Sequence, residues 1–264
     1  MHFAQDFPYH IDLVSKKLKL FLMKKHHSKR KGFTLIELLV VITIIGILAG
    51  IAIGAFGGIF GQAGQLAAKD KLMDIHKGIV QAYKGQAKFP TSESLEEQTP
   101  AGFAVWFRKK TRTTEPSLWF IDEDDRVLAL TDDGGAGKPS LIPTDPGGLD
   151  DEQKSAIGWT IAIPGEGAST KLDQNLASGP FPIMWTRGHN GEEWEADSPW
   201  SGDGGHVLFS NGKVEWYEKT ATEGGEGVFA KPPAEDADEN TDIETVNDPK
   251  EALPEGWDIL EVSN

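Results

Sequence analysis

Residues 31–61 read KGFTLIELLVVITIIGILAGIAIGAFGGIFG, and Glu37 is the only ionisable side chain from Phe33 to Gly61. As one helix, 33–61 would extend about 43 Å at about 1.5 Å per residue, more than the roughly 30 Å hydrocarbon core of a bilayer. The run is apolar on every face, so a bilayer suits it better than one side of a small protein core. The pattern therefore predicts a membrane-crossing helix over 33–61. The run is about twice as long as the apolar core of a secretory signal peptide and continues into a helical pattern, which argues against a cleaved Sec signal.

The flanks give the crossing a direction. Residues 1–32 hold eight Lys/Arg and two Asp, a net +6, with Lys24, Lys25, Lys29, Arg30 and Lys31 just before the apolar run. The rest of the chain holds 18 basic and 39 acidic residues, a net −21. The positive-inside rule then keeps the N-terminus cytoplasmic and exports the acidic body. Such a body argues against a nucleic-acid partner, because phosphate binding needs a basic surface. With no Cys in the chain, disulfides, thiol nucleophiles and thiolate metal sites are excluded.

Downstream, the pattern becomes amphipathic. Gly46, Gly50 and Gly54 are spaced as in a groove for close helix packing. Leu72, Ile75, Ile79 and Tyr83 then mark one helical face, with Lys69, Asp70, Lys71, Asp74, Lys77 and Lys84 on others. Lys88-Phe89-Pro90 stops the helix near residue 87. Segments at 62–88 and 89–217 therefore read as a helix continuation and a sheet domain, an α+β body. Candidate strands are Gly102–Phe107, Leu118–Asp122, Arg126–Leu130, Trp159–Ile163 and Phe181–Trp185. His206–Tyr217 reads as a hairpin turning at Asn211-Gly212, pairing Phe209 with Val214 and Val207 with Trp216. Residues 218–264 carry 14 acidic and three basic side chains. They read as a solvated, largely disordered tail, with 251–262 the part able to dock.

Lys31-Gly32-Phe33-Thr34-Leu35-Ile36-Glu37-Leu38-Leu39-Val40 resembles the prepilin motif of type IV pilins and type II secretion pseudopilins. The stretches IHKGIVQAYKGQAKFPTSESLEE and PIMWTRGHNGEEWEADSPWSGDGGHVLFSNGKVEWY are similar to a major-pseudopilin subgroup of planctomycete and verrucomicrobial bacteria. The resemblance implies a pilin-like fold, with a long N-terminal helix packed on a small antiparallel sheet with long loops. It implies that a prepilin peptidase removes the leader 1–32 by cutting between Gly32 and Phe33 and methylates the Phe33 amine. A start at Met23 would give the short basic leader usual in the family. A carboxylate in a bilayer is costly and hence functional by default; the resemblance gives Glu37 the role of pairing with the Phe33 ammonium of a neighbouring subunit. Partners implied are other pilin or pseudopilin subunits and an inner-membrane assembly platform. The location implied is a single pass through the inner membrane with the body in the periplasm, then a periplasmic pseudopilus. A type IV pilin, or a rare tip subunit contacting exported cargo, is the other reading.

Major pseudopilins hold calcium in a loop before their last strands, and Thr186–Trp200 resembles that loop. The resemblance makes Asn190 and Asp197 the candidate calcium ligands, with Glu192, Glu193, Glu195 and Asp203 as competing oxygen donors. Solvated turns are the alternative. Nothing points to catalysis. His2, His10, His26, His27, His76, His189 and His206 lack zinc-site spacing, and no nucleophile-elbow or phosphate-loop pattern occurs. The Trp residues read as core rather than as a sugar platform.

Overall fold

The computed structural model describes residues 34–84, 86, 88–132, 134–172, 179–232 and 242–262, apart from the side chains of 49–61. The leader, the Gly32–Phe33 junction and the stretch 233–241 lie outside the described residues. The chain divides into two compact units, residues 1–55 and 56–264. Helix α1, Leu35–Ala82, begins in the first and ends in the second.

In the first unit every described side chain from Thr34 to Leu48 is exposed, including Leu35, Leu39, Ile42 and Ile45. Among the described residues no helix is long and apolar enough to cross a membrane. The described apolar side chains stop at Leu48, so this stretch is only about 21 Å long. The helix continues through the remainder of the expected span, 49–61, whose side chains lie outside the description.

In the second unit α1 buries one stripe: Ala68, Leu72, Ile75 and Ile79 are each at most 1% exposed. This is the predicted face, with Tyr83 half-buried and stacked on Trp106 at 6.1 Å. The helix ends at Ala82, about five residues short of the expected stop. Lys84 adopts a left-handed φ of 55° and its N–H turns back to Gln81 O, so the ladder closes before Pro90 can act. Lys71 does not stay in solvent: its Nζ donates to Phe120 O (2.8 Å) and lies 3.6 Å from Asp122.

Three expected strands are not strands. Gly102–Phe107 lies in α2, Pro100–Thr111, where Thr99 Oγ1 accepts from Gly102 N–H and Pro100 occupies the first turn. Pro100 to Phe107 are all buried, so the helical period vanishes from the sequence and the run imitates a buried strand. Arg126–Leu130 lies in α3, Asp125–Thr131, capped by Asp124. Leu118 ends a short 3-10 turn, and Trp119–Asp124 continues without strand pairing. A third short helix, α4, spans Asp151–Ser155 and opens with a reciprocal Asp150–Gln153 capping box.

The sheet is antiparallel, with strands in the order Val214–Tyr217, Gly205–Phe209, Pro182–Thr186, Trp159–Pro164 and Trp257–Leu260. Strands β1 (Trp159–Pro164) and β2 (Pro182–Thr186) match expectation. The hairpin β3 (Gly205–Phe209) to β4 (Val214–Tyr217) forms, one residue out of the expected register. Leu208 faces Val214 and His206 faces Trp216. Gly212, at φ 85°, donates to Phe209 O, and Phe209 N–H donates to Lys213 O. That is a three-residue loop with a left-handed glycine bulge rather than the two-residue turn, and the added residue shifts every pair.

The acidic tail is also corrected. Phe229–Ala230 (β5) pairs with Thr245–Val246 (β6), and Trp257–Leu260 (β7) completes the main sheet beside β1. Phe229, Ala252, Trp257 and Leu260 are buried. A few well-spaced apolar residues dock the segment despite its net charge.

Candidate functional site

The first site is the start of α1. Thr34 N–H and Oγ1–H both donate to Glu37 Oε2 at 2.8 Å, and Glu37 N–H donates to Thr34 Oγ1 at 3.3 Å. Thr34 and Glu37 thus form a capping box, each side chain satisfying the other's backbone N–H at a helix end that otherwise leaves four unpaired. The Thr-x-x-Glu spacing was available in the sequence as a cap signal and had been absorbed into the processing motif. Glu37 is exposed among Ile36, Val40 and Val41. Gly32 and Phe33 lie outside the described residues.

Residues 27–53 match the family described as the prokaryotic N-terminal methylation motif. The match covers Gly32, Phe33, Thr34 and Glu37 together. It marks an N-terminus of the kind processed by prepilin peptidase in pilin-like proteins, which assemble with other pilin subunits and are generally structural. The second unit, with α1 packed against an antiparallel sheet, is an α+β fold consistent with that assignment. No curated protein and no solved structure matches the chain.

The second site is the loop 186–200 in the body. Its base is Arg187, 3% exposed, which donates Nη2–H to Asp124 Oδ1 (2.5 Å) and Nη1–H to Asp197 O (2.6 Å). Burial pushes the Asp124 carboxyl up and the Arg187 guanidinium down, and their mutual attraction opposes both shifts. Arg187 Nε and Asp124 Oδ2 are buried without a hydrogen-bond partner. Arg126 adds a second guanidinium, 2.8 Å from Asp197 Oδ2.

These contacts bear on the calcium expectation. The Asp197 carboxylate is engaged by Arg126, and Arg187 Nη1 stands 3.9 Å away. The Asn190 side-chain oxygen accepts N–H bonds from Glu192 and Glu193. Both residues line a cavity of about 190 Å³ with Arg126, Arg187, His189, Glu195, Lys250 and Glu261. Among the described residues no three His, Asp or Glu side chains converge to hold a metal. The two named ligands line one cavity, where the guanidinium groups of Arg126 and Arg187 stand beside the Asp197 carboxylate.

Two buried histidines frame the loop, and burial lowers each to about 4. His189 Nε2 lies 2.8 Å from Thr220 Oγ1, while its ring meets Trp194 edge-on at 4.6 Å. His206 sits between Trp200 and Trp216 with Nδ1 unpaired. No local spacing groups these residues, since their partners lie on separate strands and loops.

Proposed function

We propose that this chain is a structural subunit of a type II secretion pseudopilus, of the planctomycete and verrucomicrobial major-subunit kind. It crosses the inner membrane once through 33–61, N-terminus in the cytoplasm and body in the periplasm. Prepilin peptidase cuts between Gly32 and Phe33 and methylates Phe33. The inner-membrane assembly platform then draws the subunit into a polymer with others like it. The observation that supports this reading is the motif match at 27–53, a stretch whose one carboxylate, Glu37, lies five residues after Gly32.

Glu37 has a chemical task in this scheme. Within packed helices an unpaired buried charge costs several kcal/mol, and the Phe33 ammonium of a neighbour offers compensation. The capping box makes a sharper test possible than removal of the side chain. Glu37→Gln keeps an acceptor for Thr34 and removes the charge; Glu37→Ala removes both. Expressed with the assembly machinery, both variants should be cleaved, with N-methyl-Phe33 as first residue by mass spectrometry, and both should lose sheared fibre. Wild-type fibre from Glu37→Gln would sink the ion-pair role, and an intact leader on the wild-type chain would sink the prepilin reading.

A further inference from the structure

The body holds two Asn-Gly dipeptides, Asn190-Gly191 and Asn211-Gly212. In such a pair the glycine nitrogen can attack the asparagine side-chain amide, with no Cβ to obstruct it. The two surroundings differ in what they offer that reaction. Asn190 is exposed, and its Oδ1 accepts N–H bonds from Glu192 (3.1 Å) and Glu193 (3.0 Å). Two backbone donors on one amide oxygen stabilise the negative charge that grows there when its carbon is attacked. The nucleophile is also aimed at a base: Gly191 N–H donates to His189 Nδ1 at 3.2 Å. The neighbouring bonds fix the imidazole tautomer. Thr220 Oγ1 donates its own proton to Glu192 O, so it accepts from His189 Nε2–H and leaves Nδ1 with a free lone pair. Gly191 sits at φ 107°, a conformation that favours glycine.

Asn211 differs: the His76 ring lies beside Gly212, but its Nε2 faces Ser210 O at 3.4 Å and the Gly212 N–H is turned elsewhere. Its Oδ1 accepts a single N–H, from Lys213 at 3.0 Å. Gly212 N–H donates to the Phe209 carbonyl at 2.8 Å, a group that cannot take the proton.

We propose that Asn190-Gly191 is a self-deamidation site, with His189 as the base. Gly191 N attacks Asn190 Cγ, and the N–Cγ bond forms as the Gly191 amide proton passes to His189 Nδ1. That proton goes on to the departing side-chain nitrogen, which leaves as ammonia when the Cγ–Nδ2 bond breaks. One water then opens the cyclic imide to aspartate or isoaspartate, and no oxidant or reductant is needed. The product carries a new carboxylate on the wall of the cavity that Arg126, Arg187 and Lys250 also line.

The test compares the two dipeptides within one molecule. Full-length protein in detergent is aged at neutral pH and digested, and acid at positions 190 and 211 is followed by mass spectrometry. Asn190 should convert at least about tenfold faster than Asn211, at or below the low end of what a positioned base contributes. In urea the two rates should converge. His189→Gln should bring the Asn190 rate down to that of Asn211, with a melting curve to confirm the fold; Thr220→Val, which releases the tautomer, should fall between. Equal rates in the folded wild type overturn the proposal, as does an Asn190 excess that survives urea. An undiminished rate in folded His189→Gln overturns it too. If that variant fails to fold, an undiminished rate in Thr220→Val does so instead.

Discussion

Helix α1 carries Leu39, 53% exposed, and Leu72, fully buried. Both are leucines in the same kind of backbone, yet one stretch is apolar all round and uncovered while the other hides a single stripe. Backbone hydrogen bonding is therefore not what separates the two regions. What differs is where the apolar surface goes: into the aromatic and sheet core for Leu72, and, in the proposed function, into lipid or neighbouring helices for Leu39. The charged groups divide the same way. Glu37 takes its hydrogen bonds from Thr34, three residues away, whereas Asp124, besides capping α3 through Arg126 N–H, has its buried charge met by Arg187, 63 residues on.

The largest effect should come from breaking the long-range pair. Arg187→Ala leaves the buried Asp124 carboxylate without its guanidinium and should lower the unfolding free energy of the body by about 3–5 kcal/mol. Glu37→Ala should leave that same transition, followed by near-ultraviolet tryptophan dichroism, unmoved. A shift with Glu37→Ala and none with Arg187→Ala would invert the division of labour drawn here.

Apolar truncation should sharpen the contrast next. Ile75→Ala opens a void in the core and should cost about 2–5 kcal/mol, while Leu39→Ala should change body unfolding by less than about 0.5 kcal/mol. Comparable losses at the two sites, read from denaturant midpoints, would mean that Leu39 has a core of its own.

Mild acid should weaken the body through its two buried histidines. His189 and His206 fall from 6.5 to about 4 on folding. The unfolded chain thus binds more protons between those values. Stability is full above about pH 6.5 and is lost progressively as pH falls toward 4. Denaturant titrations across that window should show the decline, and His206→Phe should remove about half of it. A flat profile in the wild type would remove both histidines as acid-sensitive groups.

The smallest effect belongs to the cap. Thr34→Ala should loosen the start of α1 by about 0.5–2 kcal/mol, seen as faster amide exchange at Leu38 with no change in the body's melting. Unchanged exchange at Leu38 would show that the capping box does not hold the helix start.

Legibility followed the range of the interactions. The buried stripe at Leu72, Ile75 and Ile79 was readable because a helix period repeats within a few residues, and so were β1 and β2 as short apolar runs between turn formers. Residues 102–107 misled because total burial erases the period that tells a helix from a strand. The hairpin was readable at Asn211-Gly212, but its register depended on whether Gly212 would serve as a turn residue or a bulge. The candidate ligands Asn190 and Asp197 were found on one cavity, while the guanidiniums that dominate it went unseen, since Arg126 and Arg187 are 61 residues apart in the chain.

The sequence by itself determined the processing motif, the Thr34–Glu37 cap, the apolar run and the amphipathic stripe of α1, because each is written within one or two helical turns. Only the tertiary structure decided that Asp124 faces Arg187, that the acidic C-terminal segment supplies the edge strand β7, and that Gly191 N–H points at a neutral imidazole. Those outcomes depend on which distant groups burial forces together: a desolvated charge or polar atom must find a partner within hydrogen-bond reach, and chain separation sets no rule for which partner it finds.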